Sequence, residues 1–232
     1  MSKTSSNLKP ICIIPARSGS KRIKNKNIIN FNGKPLIYYS IETAIKSKLF
    51  SKVIVSTDSE KIKKISEKYG ASVPFLRNKK ISDDKTPTYD VLKNTIKNLN
   101  SYSTKYHCML YPTAPLINPL ILRKAFKKLT LSKANGIISV AKYNNHPLRS
   151  LIIENNYLIF KWKKYKSKMS QDLENLYHDC GNFYFFKTSK IFLKKNSYPD
   201  KLIPYFLKNY ETVDIDTHED LILANKLFNG LK

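Results

Sequence analysis

The chain has 232 residues and a formal net charge of +25, a length that suits one α/β domain burying roughly 70% of its unfolded surface without disulfide or metal staples. Such a charge fits a nucleic-acid binder, yet the lysines are spread over almost every expected helix and loop, so we read it as a bias at solvated positions that leaves a positive field for small anionic ligands and expect no nucleic-acid partner. Cys12, Cys108 and Cys180 are too few and too scattered for a disulfide framework or zinc site, no stretch reaches the ~18 apolar residues of a membrane span, and residues 1–9 read as a flexible leader, so a reducing cytoplasm is the expected setting.

Ile11-Cys12-Ile13-Ile14 is a short apolar run ended by Pro15, the pattern of a buried parallel strand. It opens into a polar loop, Arg17 to Asn27, that holds one glycine and five cationic residues (Arg17, Lys21, Arg22, Lys24, Lys26). Backbone N–H groups around Gly19, the hydroxyls of Ser18 and Ser20, and these cations can together surround a polyphosphate. The loop is neither a Walker A sequence nor a dinucleotide fingerprint, both of which need more glycines at fixed offsets.

Asn32-Gly33-Lys34-Pro35 reads as a turn, followed by a helix with Ile37, Ile41, Ala44 and Ile45 on one face. Val53 to Ser56 is a second buried strand with Thr57-Asp58 at its end, and a helix bearing Ile62, Ile65 and Tyr69 closes at Gly70. Val73 to Leu76 is a short strand that delivers Arg77 into the polar loop Ser82 to Thr88, before a helix with Val91, Leu92, Ile96 and Leu99. Tyr106 to Tyr111 is a strand, Asn118 caps a helix with Leu122, Phe126 and Leu129, and Gly136 to Ala141 is a strand. Strand alternating with helix predicts a doubly wound, mostly parallel sheet, in which ligands bind beyond the carboxyl ends of the strands.

The alternation changes between Tyr143 and Gly181, where two apolar runs flank Asn155-Asn156 as a hairpin. Asn182 to Lys187 then rejoins the sheet, Ser189 to Leu193 is a short helix, Val213 to Asp216 the last strand, and Thr217 to Phe228 the closing helix. We therefore expect a single domain over 10–232 with 143–181 as an excursion. Asp214 and Asp216 would share one face of that last strand, about 6.6 Å apart along the backbone, where both carboxylates can lean onto one hard cation. The bland alternative makes Asp216 a helix N-cap with Glu219 as its capping-box partner.

The run I-P-A-R-S-G-S-K-R-I-K-N-K-N, followed by N-G-K-P-L, V-S-T-D and D-I-D-T, closely resembles the cytidylyltransferases that activate sialic-acid-like sugars as CMP-sugars, and the resemblance spans nearly the whole chain. Arg22, where N-acetylneuraminate enzymes usually carry glycine, and Ser170 to Glu174 leading to Tyr177-His178-Asp179-Cys180-Gly181 look like the pseudaminic acid branch. The resemblance implies a nucleotide-diphospho-sugar-transferase fold of Rossmann-like type, reaction of CTP with a nonulosonic acid to give a CMP-sugar and pyrophosphate, and a homodimer paired through the excursion. Pseudaminic acid is the first choice of sugar, with N-acetylneuraminate and legionaminate as alternatives; a basic regulatory or nucleic-acid-binding protein on a degenerate version of the fold is the rival of a different class. It implies Arg17, Lys26 and Asp216 as catalytic residues, and Asp214 with Asp216 as ligands of magnesium. Arg17, Ser20, Lys21, Asn27, Arg77, Thr86 and Thr88 would bind the nucleotide, and Gln171, Asp172, His178 and Asp179 the sugar. Two places depart from the family's pattern: Pro87 lies between the two threonines, and Tyr111 stands where sialic acid enzymes commonly carry glutamine.

Overall fold

The computed structural model describes residues 9–193 and 197–231, so residues 1–8 of the expected leader lie outside the described residues. Its centre is a six-stranded sheet in the order β10-β6-β9-β5-β1-β4. These strands are β1 (Ile11–Pro15), β4 (Lys52–Ser56), β5 (Tyr106–Leu110), β6 (Gly136–Lys142), β9 (Tyr177–Lys187) and β10 (Leu202–Phe206). β1 pairs in parallel with β4 and β5, and β6 in parallel with β10, while β9 runs antiparallel to both of its neighbours. The sheet is thus mostly parallel, as expected, with one reversed strand near its middle.

Side-chain alternation along β1 explains why its whole run is apolar. Cys12 and Ile14 point into a cluster with Ile37 and Ile41 of α1 (Leu36–Ser47) and Leu122 and Ala125 of α4 (Pro119–Thr130). Ile11 and Ile13 point into the opposite cluster, with Leu92 and Ile96 of α3 (Thr88–Asn98) and Tyr184 and Phe186 of β9. A strand covered by helices on both faces has no polar side, which is what its sequence reports.

Local signals place the turns and caps. Asn32 (φ 45°) and Gly33 (φ 80°) both take left-handed backbone in the two-residue turn that joins β2 (Asn30–Phe31) to β3 (Lys34–Pro35). Asn155 and Asn156 do the same between β7 (Leu151–Glu154) and β8 (Tyr157–Phe160), so the expected hairpin forms; paired left-handed residues match the right-handed twist of the strands they connect. Ser59 accepts the Ile62 N–H at the start of α2 (Glu60–Lys68), and Asn118 accepts the Ile121 N–H at the start of α4. α5 (Thr188–Ile191) is a single turn.

Val73 to Leu76 forms no strand, only an isolated bridge of Leu76 with Thr57, and three further readings need correction. Val213 to Asp216 is not a strand; among the described residues the last strand is β10, paired only with β6 at the sheet edge. Pro204 within β10 hid it from pattern reading, and an edge strand is where a residue without an N–H is tolerated. Secondly, the N-cap of α6 (His218–Gly230) is Thr217, whose hydroxyl accepts the Asp220 N–H while Asp220 reaches back to the Thr217 N–H, so Asp216 caps nothing. Thirdly, Tyr177 to Gly181 lies within β9, where Tyr177, His178 and Asp179 pair with Lys142, Ala141 and Val140. Among the described residues no helix is long and apolar enough to cross a membrane.

Candidate active site

The loop after β1 is pinned at both ends. The Ala16 N–H donates to Ser56 O, and Asp58 at the end of β4 takes the Ser18 N–H at 2.8 Å and the Ser18 hydroxyl at 2.6 Å. Asn27, 6% exposed, donates its Nδ2 to Arg17 O at 2.9 Å and closes the loop from the far side. Gly19, expected to free the backbone, has no left-handed φ, and a Cβ there would meet no neighbour; Asn25 (φ 56°) is the residue that bends the chain.

A third apolar cluster then decides what faces this loop. Ile23 of the loop and Ile215, from between the two aspartates, are buried together with Phe31, Leu36, Tyr39 and Ala224. Burying Ile215 there brings Asp216 onto the loop's cations from 190 residues away: Lys26 Nζ donates to Asp216 Oδ1 at 2.9 Å and to Ile215 O at 2.7 Å, and Arg22 pairs with Asp216 Oδ2 at 2.7 Å. A second carboxylate, Asp84, takes Arg17 on Oδ1 and Lys21 on Oδ2.

These groups line a cleft of about 290 Å³ beyond the carboxyl ends of β1 and β4. Arg17, Ser20, Lys21, Lys26, Asn27, Arg77, Thr86, Thr88 and Asp216 all reach it. Arg77 is 4% exposed and held by Ser56 O and Ser82 Oγ; it has no carboxylate ion pair among the described residues, and its burial lowers its pKa, partly offset by nearby Asp58. A buried guanidinium without an ion pair favours an acceptor in the cleft. Thr86 donates its hydroxyl to Asp83.

A second cavity, of about 200 Å³, is lined by Lys142, Tyr143, Asn144, His178, Asp179, Cys180, Asn209, Thr212 and Asp214. β9 bulges here: Asp179 pairs with Val140 and Tyr184 with Ile138, so the register against β6 shifts around Gly181 (φ 60°), while Phe183 stays paired with Leu110 of β5. The bulge turns the Asp179 carboxylate back onto the Gly181 N–H at 2.9 Å and under the Tyr184 hydroxyl, which donates to both oxygens at 2.8 and 2.9 Å. Tyr111 lines the first cleft and stacks at a tilt on Tyr184, and burial raises its pKa, with Asp179 and Asp214 adding to the rise. It therefore stands at the wall between the two spaces.

Asp214 and Asp216 do not share the face of a strand; Asp216 lines the first cleft and Asp214 the second. They remain close enough that, after burial, Asp216 is the next cause holding the Asp214 carboxyl above its ordinary range. Gln171 and Asp172, on an exposed 3-10 turn, line neither cavity. Sequence reading missed Asp58, Asp83 and Asp84 as site residues. Asp58 was visible at a strand end, whereas nothing in Ser82-Asp83-Asp84-Lys85 distinguishes it from an ordinary solvated loop.

Comparison with known proteins assigns the chain to a family. A family model described as cytidylyltransferase matches residues 11–227. The chain is 42% identical to the pseudaminic acid cytidylyltransferase of Campylobacter jejuni subsp. jejuni serotype O:2, over 95% of this chain and 97% of that one. It is 31% identical to the N-acylneuraminate cytidylyltransferase of Streptococcus agalactiae serotype V, over 93% of this chain and 52% of that one. Among solved structures, a CMP:2-keto-3-deoxy-manno-octonic acid synthetase complexed with CTP superposes with a TM-score of 0.73 over 97% of this chain and all of that one, at 16% identity, which shows the shared fold. With a family model covering nearly the whole chain and a relative of matching length at this identity, the chain belongs to the cytidylyltransferase family, an enzyme family of nucleotidyl transfer, and within it groups with the acylneuraminate and pseudaminic acid cytidylyltransferases.

Proposed function

We propose that the protein joins CTP to a nonulosonic acid, with pseudaminic acid as the sugar, giving CMP-pseudaminic acid and pyrophosphate. The observation that carries this reading is the convergence of Arg17, Lys21, Arg22, Lys26 and Asp216 on one cleft at the strand ends. The triphosphate lies along the loop cations, which attract its charge, and Arg77 with Thr86 and Thr88 meets the pyrimidine and ribose in the same cleft. The sugar occupies the second cavity, where His178 and the fixed carboxylate of Asp179 face its substituents. Its anomeric 2-hydroxyl oxygen bonds to the α-phosphorus in line as the bond to the pyrophosphate oxygen breaks, and the hydroxyl proton passes to solvent water. Arg17 and Lys26 hold the phosphates in position and offset the charge that gathers on the departing pyrophosphate.

Asp214 and Asp216 fit magnesium, which binds through one or two carboxylates and fills its remaining positions with water and substrate phosphates. Asp214 has no hydrogen-bond or ion-pair partner among the described residues, and no third His, Cys, Asp or Glu joins the pair there as a ready-made cage. When bound, the ion supplies charge neutralisation at the phosphate oxygens.

We further assign the hairpin β7–β8 to a homodimer interface, because it presents Ile153 at 73%, Tyr157 at 75% and Leu158 at 68% exposure on one short element. A cytoplasmic setting is supported by three buried free cysteines. The deciding experiment is pyrophosphate release with CTP, magnesium and pseudaminic acid. Release that depends on both CTP and the acid supports the reading, and equal release without the acid overturns it.

A further inference from the structure

The four cations that face the proposed triphosphate are paired with two carboxylates, which offset half of their charge, and only Asp216 belongs to the aspartate pair already assigned. Asp84 bridges Arg17 and Lys21, one cation on each oxygen, and has no other hydrogen-bond or ion-pair partner among the described residues. Its own turn does not need it. Asp83 holds that turn by accepting the Lys85 N–H at 3.1 Å, the Thr86 N–H at 2.7 Å and the Thr86 hydroxyl at 2.6 Å. Asp84 is therefore presented to the phosphate loop by a turn that is already locked.

We propose that Asp84 is a positioning residue: by bridging Arg17 and Lys21 it fixes two phosphate-facing cations and ties them to the segment that carries Thr86 and Thr88. The inference rests on the cytidylyl-transfer reading of the cleft. Lys21 is 83% exposed, and without an anchor its ammonium sweeps solvent; ordering it and Arg17 on ligand arrival costs side-chain entropy that the bridge has already removed. The opposing effect, repulsion between the carboxylate and the phosphates, is weakened because the cations stand next to Asp84 and the site is open to solvent. Arg17 also keeps free donors, since Asp84 takes one end of a five-donor fork. Base recognition and phosphate recognition are thereby coupled through one side chain.

The test compares Asp84→Asn, Asp84→Glu, Arg17→Gln and the Asp84→Asn/Arg17→Gln pair with the wild type. The readouts are pyrophosphate affinity by calorimetry, KM and kcat for CTP, and melting temperature. Asp84→Asn should weaken pyrophosphate and raise the KM for CTP about tenfold each, about 1.4 kcal/mol, with an unchanged melting temperature. Asp84→Glu should restore most of the loss, and Asp84→Asn should matter less in the Arg17→Gln background, because part of what it acts through is gone. Unchanged or tighter pyrophosphate binding by Asp84→Asn, or equal effects in both backgrounds, overturns the inference. Lack of CTP turnover by the wild type would sink the cytidylyl-transfer reading instead, while the pyrophosphate series still decides the role of Asp84.

Discussion

Replacing Asp216 by Asn separates structural from chemical roles at the centre of the cleft. The substitution keeps the side chain's shape and one acceptor oxygen but turns the other oxygen into an NH2 donor, and it removes a charge that meets Lys26 at 2.9 Å and Arg22 at 2.7 Å. Both ion pairs are partly solvated, with Asp216 at 27% and Arg22 at 67% side-chain exposure, so their loss should cost at most about 1 kcal/mol of stability. The start of α6 is unaffected, because Thr217 and Asp220 supply its cap. The buried Ile215 still fixes the position of the segment. Activity should behave differently: removing one preorganised group that stabilises transition-state charge, as measured for an oxyanion-hole donor, costs about 10²–10³ in rate, or about 2.7–4 kcal/mol, and a loss of that order is expected here. The assay is kcat and kcat/KM for CTP across a magnesium titration, alongside urea unfolding. A variant that unfolds like the wild type yet turns over slowly, with a raised magnesium requirement, is the expected result. Full turnover at wild-type magnesium would refute the assignment of Asp216 to phosphate and metal chemistry.

Three other outcomes follow from particular residues. Gly19→Ala should leave the melting temperature unchanged, since a Cβ there meets nothing in the protein, and should raise the KM for CTP only where phosphate approaches that backbone; a large loss of stability would contradict the open space at this position. His107 is buried between Ser101 Oγ at 3.0 Å and Thr188 Oγ1 at 2.8 Å, and burial lowers its pKa from 6.5 to about 4. The folded state therefore keeps it neutral while the unfolded chain takes up a proton: stability is flat in this respect above about pH 6.5 and falls between there and about pH 4 by on the order of 3 kcal/mol, a slope that His107→Gln should abolish in urea titrations. An identical pH slope in the variant would remove His107 as its source. Pseudaminic acid should give a kcat/KM at least about tenfold above that of N-acetylneuraminic acid, about 1.4 kcal/mol in transition-state binding, because a cavity with fixed polar groups rejects substituents that leave them unpaired. A preference for N-acetylneuraminate would keep the reaction class and reassign the sugar.

By itself, the sequence determined the elements whose signals are local. The apolar run Ile11 to Ile14, the Asn-Gly and Asn-Asn turns, the Asn118 cap and the periodic helices formed where expected because strand period, left-handed turn residues and capping side chains act over a few residues. The basic loop and the D-x-D pair were likewise legible, as residue types in a short span. Only the tertiary structure decided how they meet. Lys26 and Asp216 are joined across 190 residues by burial of Ile23 and Ile215 in one cluster, and burial of that kind leaves no mark on spacing. Tertiary pairing also turned Leu202 to Phe206 into the edge strand that Pro204 concealed, and left Val213 to Asp216 without a ladder. Finally, it selected Asp84 from a run of ordinary loop residues, because an ion pair is set by where two backbones deliver their side chains, and neither backbone encodes the other's position.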